Sequence, residues 1–146
     1  MFNLFKKKEE VHPISHIFSN LTENQKMSVH NFLFAIICPD SGSITQKEEL
    51  LLNEFVGALH ISIDRCFGYV KTCGLERTIN DLDVLSRNQR EFLVVSIHEL
   101  ILRGGSLNDR KIMRVVDYFE KIGIDTDEYM HIVKKSAAIM RHFSGR

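Results

Sequence analysis

The sequence predicts an all-α fold, a compact helical bundle of two similar three-helix halves, and three observations predict it. The chain nearly repeats itself: Leu21-Thr22-Glu23-Asn24-Gln25 returns 64 residues later as Leu85-Ser86-Arg87-Asn88-Gln89, each time ahead of a long apolar run. Both copies spell a capping box, Thr22-x-x-Gln25 and Ser86-x-x-Gln89. In a capping box the hydroxyl accepts from the third backbone N–H and the glutamine reaches back to the cap. Proline occurs only at Pro13 and Pro39, so no helix-breaking ring interrupts the chain after residue 39.

At 146 residues the chain is long enough to bury one core of useful size. Nineteen basic residues balance nineteen acidic ones, which gives no basic footprint and predicts no nucleic-acid partner. Cys38, Cys66 and Cys73 form no CxxC pair and read as reduced thiols, which predicts a cytoplasmic protein. The longest unbroken apolar run, Phe32 to Cys38, is seven residues. A membrane-spanning helix needs about twenty. The opening Met1-Phe2-Asn3-Leu4-Phe5 is shorter than the apolar region of a signal peptide.

In chain order, residues 1–11 read as a flexible tail with Phe2, Leu4 and Phe5 beside Lys6-Lys7-Lys8. One all-helical domain, 12–146, follows, with half-repeats at about 12–74 and 76–142. A short helical segment, 14–20, carries Ile17, Phe18 and Leu21 on one face; its partner, 78–85, carries Ile79, Leu82 and Leu85. Thr78 is placed to cap that second segment, with Asp81 as the capping acid. The two central helices then open at their capping boxes. Their apolar ends, Phe32 to Cys38 and Phe92 to Leu102, predict that both lie in the middle of the fold. Each ends in a turn of small residues, Pro39 to Ile44 and Arg103 to Leu107, the second one residue shorter.

The second helix of the first half starts at Thr45-x-x-Glu48, again a capping box. Leu51, Phe55 and Leu59 make its inner stripe, widened by Leu52 and Val56. In the other half Ile112, Val115, Val116, Phe119 and Ile122 do the same, and Gly123 is well placed for a left-handed helix end with Ile124 folding back. His60 stands where Gly123 does. The third helices start at Ser62 and at Asp125-x-x-Glu128. They carry Cys66, Phe67 and Val70 in one copy, and Tyr129, Ile132, Val133, Ala137 and Met140 in the other. A unit of about 60 residues is marginal by itself. The halves are therefore expected to pack face to face, with pseudo-two-fold symmetry, around the paired central helices.

The chemistry on offer is sparse. Gly42-x-Ile44-Thr45-x-x-Glu48 spells the second half of a calcium-binding EF-hand loop. The positions that need carboxylates in its first half fall on Ile37 and Pro39, so the segment reads as a turn before a capped helix. His12 and His16 flank Pro13, and two ligands fall short of a zinc set. His98-Glu99, inside a central helix, reads as a hydrogen-bonded packing residue. No GxSxG and no phosphate-binding GKT occur, and cysteines within apolar helices are usually inert. No catalytic residue is assigned.

Two stretches carry a family resemblance. They are Phe34-Ala35-Ile36-Ile37-Cys38-Pro39-Asp40-Ser41-Gly42-Ser43-Ile44-Thr45-Gln46-Lys47-Glu48 and Ala58-Leu59-His60-Ile61-Ser62. Gly105-Ser106-Leu107 and Ile122-Gly123-Ile124-Asp125 echo them. Together they resemble the TerB-like (tellurite-resistance B) helical domains, over most of residues 20–140. The resemblance implies an all-helical fold of two similar halves, a bacterial source, and a role in stress-related or membrane-associated complexes. It also implies acidic residues at the turns as metal-ligand candidates, here Asp40 and Glu48. The expected function is that of a non-enzymatic protein acting through protein–protein contact, with no cofactor. One alternative is divalent-metal binding at Asp40 and Glu48, with Glu49 beside them. The other is a peripheral membrane adaptor using residues 1–8, whose apolar and lysine side chains suit an anionic surface.

Overall fold

Pro13 opens the first helix, where a proline's missing N–H costs nothing. In the computed structural model, which describes the backbone of residues 13–38, 44–104 and 109–144 and the side chains of 13–38, 44–100 and 112–136, this helix is α1 (Pro13–Ile17). The helices α2 (Glu23–Ile37), α3 (Gln46–Leu59) and α4 (Ile63–Asp81) follow, then one 3₁₀ turn (Leu82–Val84). The chain continues through α5 (Arg87–Gly104), α6 (Asp109–Lys121) and α7 (Thr126–Ser144). Among the described residues there is no strand, and no helix is long and apolar enough to cross a membrane. Residues 1–11, His12, and the turns around Asp40 to Gly42 and Gly105 to Leu107 lie outside the described residues.

The helix starts follow the spelled caps. Thr22 Oγ1 accepts from Gln25 N at 3.2 Å while Gln25 Oε1 accepts from Thr22 N at 2.9 Å. Thr45 and Glu48 do the same for α3, at 3.1 and 2.7 Å. Ser86 and Gln89 do so for α5, at 3.2 and 2.8 Å. Asp125 Oδ1 takes Glu128 N at 2.8 Å ahead of α7. Each box satisfies two N–H groups that a helix start otherwise leaves bare.

The stops are equally local. His60 adopts the left-handed conformation (φ 58°, ψ 45°) after α3, and Ile61 N returns to Val56 O at 3.2 Å. Gly123 (φ 92°) plays the same part after α6, with Ile124 N on Phe119 O at 3.0 Å. Both are the helix-end motif in which a left-handed residue sends the next N–H back to a carbonyl of the last turn.

Gly74 (φ 84°, ψ 167°) is non-helical and breaks α4 into two helical arms. Those angles are open almost only to glycine. Helix resumes at once, which corrects the expectation for Thr78. Because Gly74 supplies the turn, Thr78 falls inside the second arm of α4, fully buried, and its Oγ1 has no hydrogen-bond partner.

One buried cluster takes in residues from Ile14 to Ile132. Two sets of ring contacts run through it: Phe18 with Phe55 (6.3 Å) and Phe92 (6.0 Å), and Phe119 with Phe32 (5.4 Å) and Tyr129 (5.8 Å). The helix α2 is buried nearly all round, packed by α3, α4, α6 and the 3₁₀ turn. The helix α5 is not. Leu93, Val94 and Ile97 are buried, but Phe92, Val95, Ser96 and Leu100 are only partly covered, because α7 and α3 are its main neighbours. The two central helices are therefore not each other's chief partners. The first and second halves of the chain meet through α3 on α5 and α6 on α2. Two stripes also rotate from expectation: α3 buries Glu48, Leu52, Phe55 and Leu59 and leaves Leu51 half-covered, and in α6 Ile112 turns outward.

Candidate functional site

The rotation of the α3 stripe opens the site. With Leu52, Phe55 and Leu59 directed inward, Lys47, Leu50, Leu51 and Glu54 fall together on the flank of the helix, spaced as one face. On α5, Val95, Ser96, Glu99 and Leu100 form the corresponding flank beside the buried Leu93, Val94 and Ile97. The two flanks diverge and leave a cleft of about 540 Å³. Its lining is apolar, supplied by Leu50, Leu51, Val95 and Leu100, and its rim carries Lys47, Glu54 and Glu99. Leu50 is 61% exposed, a large apolar side chain left in water at the mouth. The one hydroxyl, that of Ser96, donates to Phe92 O at 2.8 Å on its own helix. A concave apolar lining with a few charges at its edge is suited to holding an apolar side chain or helix face.

Of the metal-ligand candidates, Asp40 lies outside the described residues. Glu48 is buried, 6% exposed, and its Oε1 is held by Thr45 N at 2.7 Å. An ion at this carboxylate would have to share it with the helix start. Glu49 is exposed. Among the described residues no three His, Cys, Asp or Glu side chains gather as a metal would need. His16 is exposed on α1. His98 stands with Nδ1 3.4 Å from the Tyr129 hydroxyl, and burial lowers its pKa. Burial also pushes the Cys66 thiol up to about 11, so it stays protonated and unreactive at neutral pH.

The sequence reading missed a polar seam between α2 and α4. Ser28, His30 and Asn31 are all buried on α2. The Asp81 carboxylate, on the second arm of α4, accepts from Ser28 Oγ (2.7 Å), the Tyr69 hydroxyl (2.6 Å) and Arg77 Nε (3.2 Å). This corrects the capping role expected for Asp81: its oxygens tie the two arms of α4 to each other and to α2. Burial, followed by the bond to Asp81, raises the pKa of Tyr69. Asn31 Nδ2 donates to Cys66 O at 2.9 Å, and its Oδ1 lies 3.1 Å from His30 Nδ1. The His30 ring stacks on Phe34 and meets Phe67 edge-on, at 6.1 and 5.8 Å. Burial lowers its pKa, partly opposed by Asn31. A signal for this seam was present: at the repeat offset the three polar positions correspond to Phe92, Val94 and Val95. The bonds of this seam run between α2 and the two arms of α4 and hold the helices together, whereas the cleft faces solvent. No family model matches the chain, and no curated protein or solved structure matches it.

Proposed function

We propose that the chain is a non-enzymatic, TerB-like helical protein of two similar halves that acts through protein–protein contact, with the α3–α5 cleft as the contact surface. The observation that carries this reading is the cleft's chemistry: an apolar lining, charges at the rim, and a single hydroxyl already committed to its own helix. Such a lining binds by burying apolar surface. The two-half reading is supported by the matching boxes at Thr22 and Ser86 and the matching left-handed residues His60 and Gly123. It is supported too by the contacts of α3 on α5 and α6 on α2, which exchange under the repeat. Cys38, Cys66 and Cys73 form no disulfide among the described residues, which fits a reducing, cytoplasmic setting.

The test uses two exposed apolar positions. Leu50→Asp puts a charge at the cleft mouth, and Met130→Asp puts one on α7, where Met130 is 46% exposed. Both variants should fold with the parent's melting temperature. A protein retained by the parent chain from cell extract should be lost with Leu50→Asp and kept with Met130→Asp. Retention by both variants would sink the cleft as the contact surface.

A further inference from the structure

We propose that the α3–α5 cleft seats a segment of the chain itself, Phe2–Lys8, and that this segment must leave before another protein enters. The inference rests on the contact reading of the cleft and names the occupant that competes there. Three observations lead to it.

The first is position. The C-terminal end of α1 lies between the two helices that form the cleft. Phe18, one residue past α1, packs on Phe55 of α3 and Phe92 of α5, and Gln89 Nε2 donates to Ile17 O at 2.9 Å. Phe55 is adjacent to the cleft residue Glu54, and Phe92 is one turn before Val95 and Ser96. The second is reach. Pro13 is eight positions after Phe5, enough for about 26 Å of extended chain, whereas α1 is only about 8 Å long. The third is composition. Phe2, Leu4 and Phe5 offer three apolar side chains within four residues, followed directly by Lys6-Lys7-Lys8. Among the described residues the cleft has an apolar lining of four side chains, and its rim carries the carboxylates of Glu54 and Glu99 with Lys47. An apolar stretch followed by a cationic one matches an apolar lining with carboxylates at its edge. Tethering raises the effective concentration of the segment at the cleft, so a weak fit suffices to fill it.

The experiment compares the full chain with its Phe2→Ser/Leu4→Ser/Phe5→Ser variant by methyl NMR. The methyl signals of Leu50, Leu51, Val95 and Leu100 should move, those of the buried Leu33 and Val115 should not, and tenfold dilution should change nothing. A synthetic peptide of residues 1–10, added to the triple variant, should return the cleft signals towards their parent positions. Leu50→Asp in that variant should weaken the peptide at least tenfold. Cleft methyls that ignore the triple substitution overturn the proposal. So do shifts that vanish on dilution, which would assign the segment to a second copy, and a peptide indifferent to Leu50→Asp. Cleft methyls that respond to the triple substitution only when anionic vesicles are present would assign the segment to a membrane surface instead. If the segment fails these tests while Leu50→Asp still loses a protein partner, the cleft stands and only its resting occupant is wrong.

Discussion

At the scale of single residues, His30 turns burial into pH dependence. Its folded pKa lies below the ordinary value of 6.5 because the buried ring resists charging. The unfolded chain therefore binds this proton first as pH falls. Stability is full above 6.5, declines as pH drops below it, and levels off beneath the folded pKa. His98, lowered by burial as well, adds in the same direction. His30→Gln should remove part of that slope, read from urea midpoints between pH 7.5 and 5; an unchanged slope would show that His30 does not carry it. Glu48 makes a different prediction. Its carboxylate closes the α3 capping box, so Glu48→Ala should cost about 1 kcal/mol. The loss should be equal with and without calcium, magnesium or zinc. An ion-dependent rise in the parent's melting temperature, absent in the variant, would instead restore the metal reading.

At the scale of elements, the left-handed positions decide where helices turn. His60 bears a side chain at φ 58°, where a non-glycine residue costs about 1 kcal/mol. Glycine there relieves that cost but enlarges the unfolded ensemble. His60→Gly should therefore raise the melting temperature by only about 1–2 °C. Gly74→Ala should act oppositely and more strongly. No atom lies within 4 Å of the added Cβ, so the loss of about 1–3 kcal/mol is one of backbone strain alone. If that variant straightens α4 instead, the Asp81 bonds to Ser28 and Tyr69 break together, which a changed Tyr69 absorbance would report. The helix ends were legible in sequence because caps are local: Thr22, Thr45, Ser86 and Asp125 each find their partner three residues on. Thr78 was misread because the spelling Thr-x-x-Asp carries no information about a glycine four residues earlier that has already turned the chain.

At the scale of the molecule, the core crosses the repeat. Phe18 and Phe55 from the first half and Phe92 from the second share one set of ring contacts, and Gln89 bonds both Ile17 O and Asn20 Oδ1. Neither half can bury these side chains alone. Phe18→Ala should cost about 3–5 kcal/mol and lower a single shared transition. Circular dichroism and tyrosine fluorescence should give the same midpoint, since Tyr69 lies in the first half and Tyr118 and Tyr129 in the second. Two separated midpoints would show that the halves unfold independently. A chain of residues 12–74 alone should melt without cooperativity.

The sequence by itself determined the class of the fold, the capped start of every long helix it spells, and the two left-handed stops. These are set by residues three to six positions apart, and their physics is complete within one turn of helix. Only the tertiary structure decided which flank each stripe presents. Leu51 borders the cleft and Leu52 enters the core because α3 is rotated by what α1, α2 and α5 leave for it to fill. The halves' sequences match at Leu, Asn and Gln, yet α2 is enclosed and α5 is half open. Burial depends on which neighbours arrive, and no periodicity within one helix records that.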